Sequence, residues 1–121
     1  MFNLNAEIER VLNDQTTGLG VPVAFMFYDG NAETYVTYMQ LDKDNVLAGD
    51  DAILGCVQYY DFDVYSKSNY LTVVTNLINK LTAAGWTYQP SRDGPDLYER
   101  DTKYFHKTIC LAKESEVINN G

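Results

Sequence analysis

The chain has 121 residues, 45% of them hydrophobic and 21% charged, the size and balance of one globular domain able to bury a core. A formal net charge of −8 and a pI near 4.4 disfavour binding to free nucleic acid or to an anionic membrane surface. The apolar runs are too short to cross a bilayer, and Met1 to Glu7 carry neither the basic nor the apolar part of a secretory signal.

Residues 3–13 read as a short helix, with Leu4, Ile8, Val11 and Leu12 at helical spacing and Glu7, Glu9 and Arg10 facing away from that stripe. Residues 13–20 are polar and glycine-bearing and end it. Residues 21–27 are nearly continuous in apolar side chains, as in a strand covered on both faces, and Pro22 near the start suits a strand entry or an edge better than a central position. Tyr28-Asp29-Gly30-Asn31 has the composition of a tight turn, so residues 33–42 are expected to return as the second arm of a hairpin. Their alternation sets Tyr35, Thr37, Met39 and Leu41 on one side, Thr34, Val36, Tyr38 and Gln40 on the other. Residues 42–55 hold Asp42, Asp44, Asp50 and Asp51 around a small apolar island, Val46-Leu47-Ala48, and read as a long acidic loop or a loop with a fragment of strand.

A third strand is expected over residues 55–65, with Cys56, Tyr60, Phe62 and Val64 on one face. Ser66 to Asn69 resembles a capping break before a helix over residues 70–84, whose apolar stripe is Leu71, Val74, Leu77, Ile78 and Leu81. Gly85 fits the position that terminates it. Strands follow at 86–89, 97–100 and 104–113, separated by turns at Pro90 to Pro95 and at Asp101 to Lys103. The last strand sets Phe105, Lys107, Ile109 and Leu111 against His106, Thr108, Cys110 and Ala112, and a polar tail from about residue 114 is expected to fray. The expectation is one α+β domain over residues 1–121, in the order α-β-β-β-α-β-β-β. It has a mostly antiparallel sheet of four to six strands and two helices on one face.

Chemistry is sparse in this pattern. Cys56 and Cys110 lie in apolar-alternating stretches without Cys or His at ligand spacing, which suits core thiols better than a disulfide or a zinc site. The single histidine, His106, points away from Phe105 and Ile109 and has no nucleophile motif to serve. The acidic stretch from Asp42 lacks the spacing of a calcium loop, and Gly18-Leu19-Gly20 lacks the features of a phosphate loop. Asp61 and Asp63 share a strand face with Tyr59 and Tyr65, the composition of a solvated or subunit-facing surface. No enzymatic activity and no cofactor are expected. The 10 tyrosines suit a sheet face that meets another subunit. Arg92, Arg100, Lys103 and Lys107 cluster in the last third, opposite in sign to the 42–51 stretch, as in head-to-tail packing of identical subunits.

Several local phrases strengthen that view. Val21-Pro22-Val23-Ala24 leads into Tyr28-Asp29-Gly30, and Tyr35-Val36-Thr37-Tyr38 follows. Residues 57–66 read Val-Gln-Tyr-Tyr-Asp-Phe-Asp-Val-Tyr-Ser, the helix closes on Ala84-Gly85-Trp86, and Tyr98-Glu99-Arg100-Asp101-Thr102 precedes Tyr104-Phe105-His106-Lys107. In order and phrasing, from the first helix to about Lys113, the chain resembles the tail terminator (tail completion) proteins of long-tailed bacteriophages, which can be prophage-encoded.

That resemblance implies a virion protein made in the host bacterial cytoplasm. It forms a homo-oligomeric ring, commonly a hexamer, on the head-proximal end of the tail tube. Its partners are then other copies of itself, the tail tube protein and a head-completion or neck protein, with DNA passing through unbound and no membrane involved. On this expectation Asp42, Asp44, Asp50 and Asp51 form a lumen-facing or tube-facing acidic loop. Tyr59, Tyr65 and Tyr98, with Arg92, Arg100 and Lys103, contact neighbouring subunits. The competing expectations are a head-tail connector or neck protein, and an acidic DNA mimic that binds a regulatory target.

Overall fold

The computed structural model describes residues 4–47 and 53–116. Their element order is α1 (Leu4–Leu12), β1 (Val23–Phe25), β2 (Thr34–Leu47), β3 (Ile53–Ser66), α2 (Tyr70–Ala83), β4 (Thr87–Tyr88), β5 (Asp96–Glu99) and β6 (Tyr104–Glu116), with a 3-10 turn at Pro90–Arg92. One six-stranded sheet runs β1-β2-β3-β6-β4, and β5 pairs with β6 further along the same edge as β4. All pairings are antiparallel except β1 with β2. The fold is therefore α+β, with both helices on one face of the sheet.

The apolar stripes account for that layering. Leu4, Ile8 and Leu12 of α1 and Val74, Leu77 and Leu81 of α2 are buried against Val36 and Tyr38 of β2, Tyr60, Phe62 and Val64 of β3, and Ile109 and Leu111 of β6. Burying each large side chain of this kind contributes roughly 1.5–3 kcal/mol. Leu71 is the exception to the expected stripe: it is exposed, and Tyr70 takes the inward place by stacking on Phe105 at 5.2 Å between ring centroids. Glu7 and Glu9 do not face away from the sheet either. Glu9 accepts from the Tyr38 hydroxyl at 2.6 Å, while Glu7 accepts from Trp86 Nε1 at 3.2 Å and Lys113 Nζ at 2.8 Å. The core aromatics end in polar tips, and these carboxylates satisfy them.

Helix α2 begins and ends as its sequence requires. The Asn69 side chain accepts from Thr72 N at its start. At its end Gly85 adopts φ +97°, Gly85 N–H donates to Thr82 O, and Trp86 N–H donates to Leu81 O, the paired bonds of a Schellman motif. This stop carries Trp86 into the core, where it is 3% exposed and meets Tyr60 and Phe62 edge-on.

Four further expectations are corrected. Residues 21–27 do not form a doubly covered strand: only Val23–Phe25 is strand, and Phe25, Met26 and Phe27 are exposed. Nor does that strand form a hairpin with β2; the two are parallel, with Val23 opposite Val36 and Phe25 opposite Tyr38. Met26 takes φ +68° and donates to Tyr38 O, which swings the chain out of the sheet plane before Tyr28 folds back onto Tyr35. Finally, the 42–55 stretch is not a long loop. Strand β2 continues to Leu47 and β3 starts at Ile53, with Asp42 opposite Tyr59 and Asp44 opposite Val57. Val46 and Leu47 of the apolar island are strand, paired with Gly55 and Ile53, although Ala48 lies outside the described residues. The expected fraying likewise fails for Glu114 to Glu116, which pair with β3, while 117–121 lie outside the described residues.

Candidate assembly surfaces

The second sheet face, opposite the helices, can be read row by row from the register. Tyr35, Tyr65 and His106 form one row across β2, β3 and β6, and Thr37, Asp63 and Thr108 the next. Met39, Asp61 and Cys110 follow, then Asp42, Tyr59 and Ala112, then Asp44, Val57 and Glu114. Side chains in one column are two residues apart, roughly 6.8 Å along the strand.

The first row is an aromatic stack. Tyr28 lies on Tyr35 at 4.6 Å, Tyr35 on Tyr65 at 4.7 Å, and Tyr65 on His106 at 4.2 Å. Tyr104 meets Tyr35 and Tyr65 edge-on, and its hydroxyl donates to Ala32 O at 2.7 Å. Burial, then the nearby Asp63 charge, pushes the Tyr65 hydroxyl up to about 12. The row ties the 26–33 connection to the sheet and leaves half-buried ring surface at its top.

His106 does have a partner, which its sequence context did not reveal. Its Nε2 lies 2.9 Å from Asp63 Oδ1, and the Thr108 hydroxyl donates to the same oxygen. The three side chains are brought together by a β3–β6 register that places Asp63 opposite Thr108 and beside His106. This is an orienting pair without a nucleophile. The Thr108 hydroxyl is bound to the carboxylate rather than to the ring, so His106 is not placed to take its proton. Among the described residues no three His, Cys, Asp or Glu side chains converge as a metal-holding group.

Lower on this face the segment after β4 folds over the sheet. Gln89 N–H donates to Cys110 O, Gly94 N–H to Thr108 O, and Cys110 N–H to Asp93 Oδ1. The Arg92 guanidinium sits 4.0 Å from the centre of the Tyr59 ring. This cover explains why Cys110 and Ala112 are buried on a face without helices. It also holds Arg92 and Tyr59, two of the expected subunit-contact residues, against each other within one chain. Burial raises the Cys110 thiol to about 11, helped by the Asp61 charge, and both cysteines are buried. Asp61 itself is raised by burial and by Asp63, and its Oδ1 is buried without a hydrogen-bond partner among the described residues.

The expected acidic loop becomes part of a three-stranded arm. Asp42 and Asp44 are exposed on β2, in line with exposed Glu114 on β6; Asp50 and Asp51 lie outside the described residues. Lys43 falls on the opposite face, beside Gln58. The sheet's two outer edges are unlike one another. At the β1 edge Phe25, Met26 and Phe27 are 46%, 59% and 72% exposed, with Met39 and Leu41 exposed further down β2. At the β5 edge Leu97 and Tyr98 are exposed, and a cleft of about 390 Å³ is lined by Lys67, Tyr98, Lys103 and Phe105. Arg100 and Lys103 lie in the turn between β5 and β6, where Lys103 takes φ +63°. Of the expected contact residues, the structure thus brings Tyr98 and Lys103 together and leaves Tyr65 in the aromatic row. The Phe25 to Phe27 knob escaped the sequence reading, since an apolar run alone cannot distinguish a buried strand from an exposed edge.

No protein-family model matches the chain, and no curated protein matches it at a significant level. No helix among the described residues is long and apolar enough to cross a membrane.

Proposed function

We propose that this chain is a structural subunit of a homo-oligomeric ring that caps the head-proximal end of a phage tail tube. It stops tube polymerisation and offers the head-joining surface. The observation that carries the reading is the pair of unlike, exposed apolar edges at opposite ends of one sheet. A subunit built this way associates head-to-tail, and head-to-tail association closes into a ring when the rotation between copies allows it. Exposed large apolar side chains gathered on two edges suit protein contact better than catalysis. The resemblance of the sequence to tail terminators supplies the place of the ring, its commonly sixfold order, and its partners, the tail tube and a head-completion protein. With −8 on each copy, repulsion would keep passing DNA from adhering.

The test has two parts. Light scattering across protein concentration should show mass growing to a closed oligomer, and added protein should halt the growth of tail tubes polymerising from purified tube protein. Tubes that lengthen unchanged in its presence would reject the cap.

One observation favours a second reading, an acidic DNA mimic. Asp42, Asp44 and Glu114 are carried on paired strands rather than on a loop, a firmer presentation of charge. That reading requires a monomer or dimer that inhibits a DNA-binding enzyme, so the same scattering experiment separates the two.

A further inference from the structure

The β1 edge and the β5 edge present complementary halves of one contact. From the first, Met26 at φ +68° turns Phe27 outward, the most exposed of the large apolar side chains at 72%. The connection it begins, residues 26–33, carries exposed Asp29 and Glu33 and no basic residue. On the second edge, the 390 Å³ cleft has the Tyr98 and Phe105 rings, 4.9 Å apart, as apolar walls and Lys67 and Lys103 at its rim. Neither lysine forms a salt bridge among the described residues. Among the described residues the Lys67 ammonium lies over the Tyr104 ring, at 5.0 Å.

A chain cannot fill its own cleft. Knob and cleft are offset along the strands by two rows, roughly 14 Å, since Phe25 lies level with Tyr38, Phe62 and Ile109 while Tyr98 pairs with Phe105. They are separated by the width of β2, β3 and β6, four inter-strand steps of about 4.8 Å, or roughly 19 Å. We propose that Phe27 of one copy docks in this cleft against the packed Tyr98–Phe105 pair of the next, with Asp29 of the first facing Lys67 and Lys103 of the second. The occupant is a second copy because one surface supplies an aromatic knob flanked by Asp29 and the other an aromatic wall with a basic rim, while Glu33, whose carbonyl takes the Lys67 N–H of its own chain, stays out of the contact. The inference rests on the ring reading and names its contact. Because knob and slot differ, every added copy leaves one of each free until the assembly closes.

The experiment uses two full-length variants, Phe27→Asp and Tyr98→Glu, both at exposed positions. Wild type should gain mass with concentration in light scattering. Each variant alone should self-associate at least about a hundred-fold more weakly, as loss of a central aromatic anchor does. Their equimolar mixture should form a heterodimer and stop there, because only the intact Phe27 of one and the intact slot of the other remain. Circular dichroism of each variant checks that the fold is kept. A wild-type oligomer that both variants leave unchanged would overturn this contact while the ring reading stands. Variants that weaken assembly but yield no heterodimer on mixing would overturn the knob-and-slot pairing. A wild type that stays monomeric at every concentration would overturn self-docking as well, and tube capping would then test the tail reading independently.

Discussion

Replacing Gly85 by alanine tests the helix stop on which the position of Trp86 depends. At φ +97° a side chain is strained whatever the space around it, and a left-handed conformation costs a non-glycine residue about 1–2 kcal/mol. The new Cβ would also meet Lys113 Nζ at 3.1 Å. That ammonium has little freedom to retreat, because it donates to Glu7 Oε1 at 2.8 Å and to Ala84 O at 2.7 Å. Against these terms stands a loss of unfolded-chain entropy worth about 0.4–1 kcal/mol in favour of alanine. The net expectation is a destabilisation of about 1–3 kcal/mol, read as a lower urea midpoint at unchanged slope. Combining Gly85→Ala with Lys113→Met in a double-mutant cycle separates the two costs. Coupling above about 0.5 kcal/mol assigns part of the loss to the displaced lysine. A Gly85→Ala protein within about 0.5 kcal/mol of wild type would refute the reasoning, since it would mean that the backbone accommodates a Cβ there without leaving the Schellman geometry.

Asp61→Asn should stabilise the protein at neutral pH. Burial and Asp63 raise the Asp61 carboxyl, so above its unfolded pKa the ionised form costs stability, and amide replacement should add about 1 kcal/mol, visible as a melting temperature a few degrees higher. A lower melting temperature would instead assign Asp61 a stabilising bond to Arg92. Five tyrosines, Tyr35, Tyr38, Tyr60, Tyr65 and Tyr88, are raised above 10, each first by burial, with Tyr65 and Tyr88 at about 12. Between those values the folded chain holds more protons than the unfolded one, so their contribution is whole below about pH 10 and is lost as pH rises through 12. Near-ultraviolet titration should show the delayed group ionising together with alkaline unfolding; ten tyrosines titrating near 10 in the folded protein would contradict it. Cys56 and Cys110 should resist a thiol reagent at pH 8 until denaturant is added, and rapid labelling of the native protein would contradict their burial.

Elements whose identity is set by local chemistry were legible in the sequence. The capping break over Ser66 to Asn69, the stop at Gly85 and the alternation of Tyr60, Phe62 and Val64 each express a rule that acts over a few residues, and each stands in the structure as read, with Asn69 supplying the cap. What escaped depends on partners distant in the chain. The parallel pairing of β1 with β2 is set by the Met26 turn and by Tyr28 packing on Tyr35, which no dipeptide signal encodes. The Asp63–His106 pair exists because two strands separated by α2 meet in one register. For the candidate surfaces, composition pointed to the tyrosines and the basic last third, but only the fold shows Arg92 engaged with Tyr59 and Lys103 at a cleft.

The placement of the acidic arm turns on one residue. Simple alternation from Thr34 would set Asp42 with Val36 and Tyr38, toward the helices. Instead the ladder passes from Gln40 opposite Tyr60 to Asp42 opposite Tyr59, so Leu41 is the extra residue of a bulge and both acids move to the tyrosine face. Deleting Leu41 should therefore leave both flanking registers as they are, while deleting Thr37 from the regular ladder should turn every later inward side chain of β2 outward. The first deletion should fold with a melting temperature within a few degrees of wild type, and the second should unfold. Equal loss in both would show that the bulge is required by the twist of the arm rather than tolerated by it. The faces assigned to Asp42 and Asp44 would then depend on the bulge itself and not on the pairing on either side.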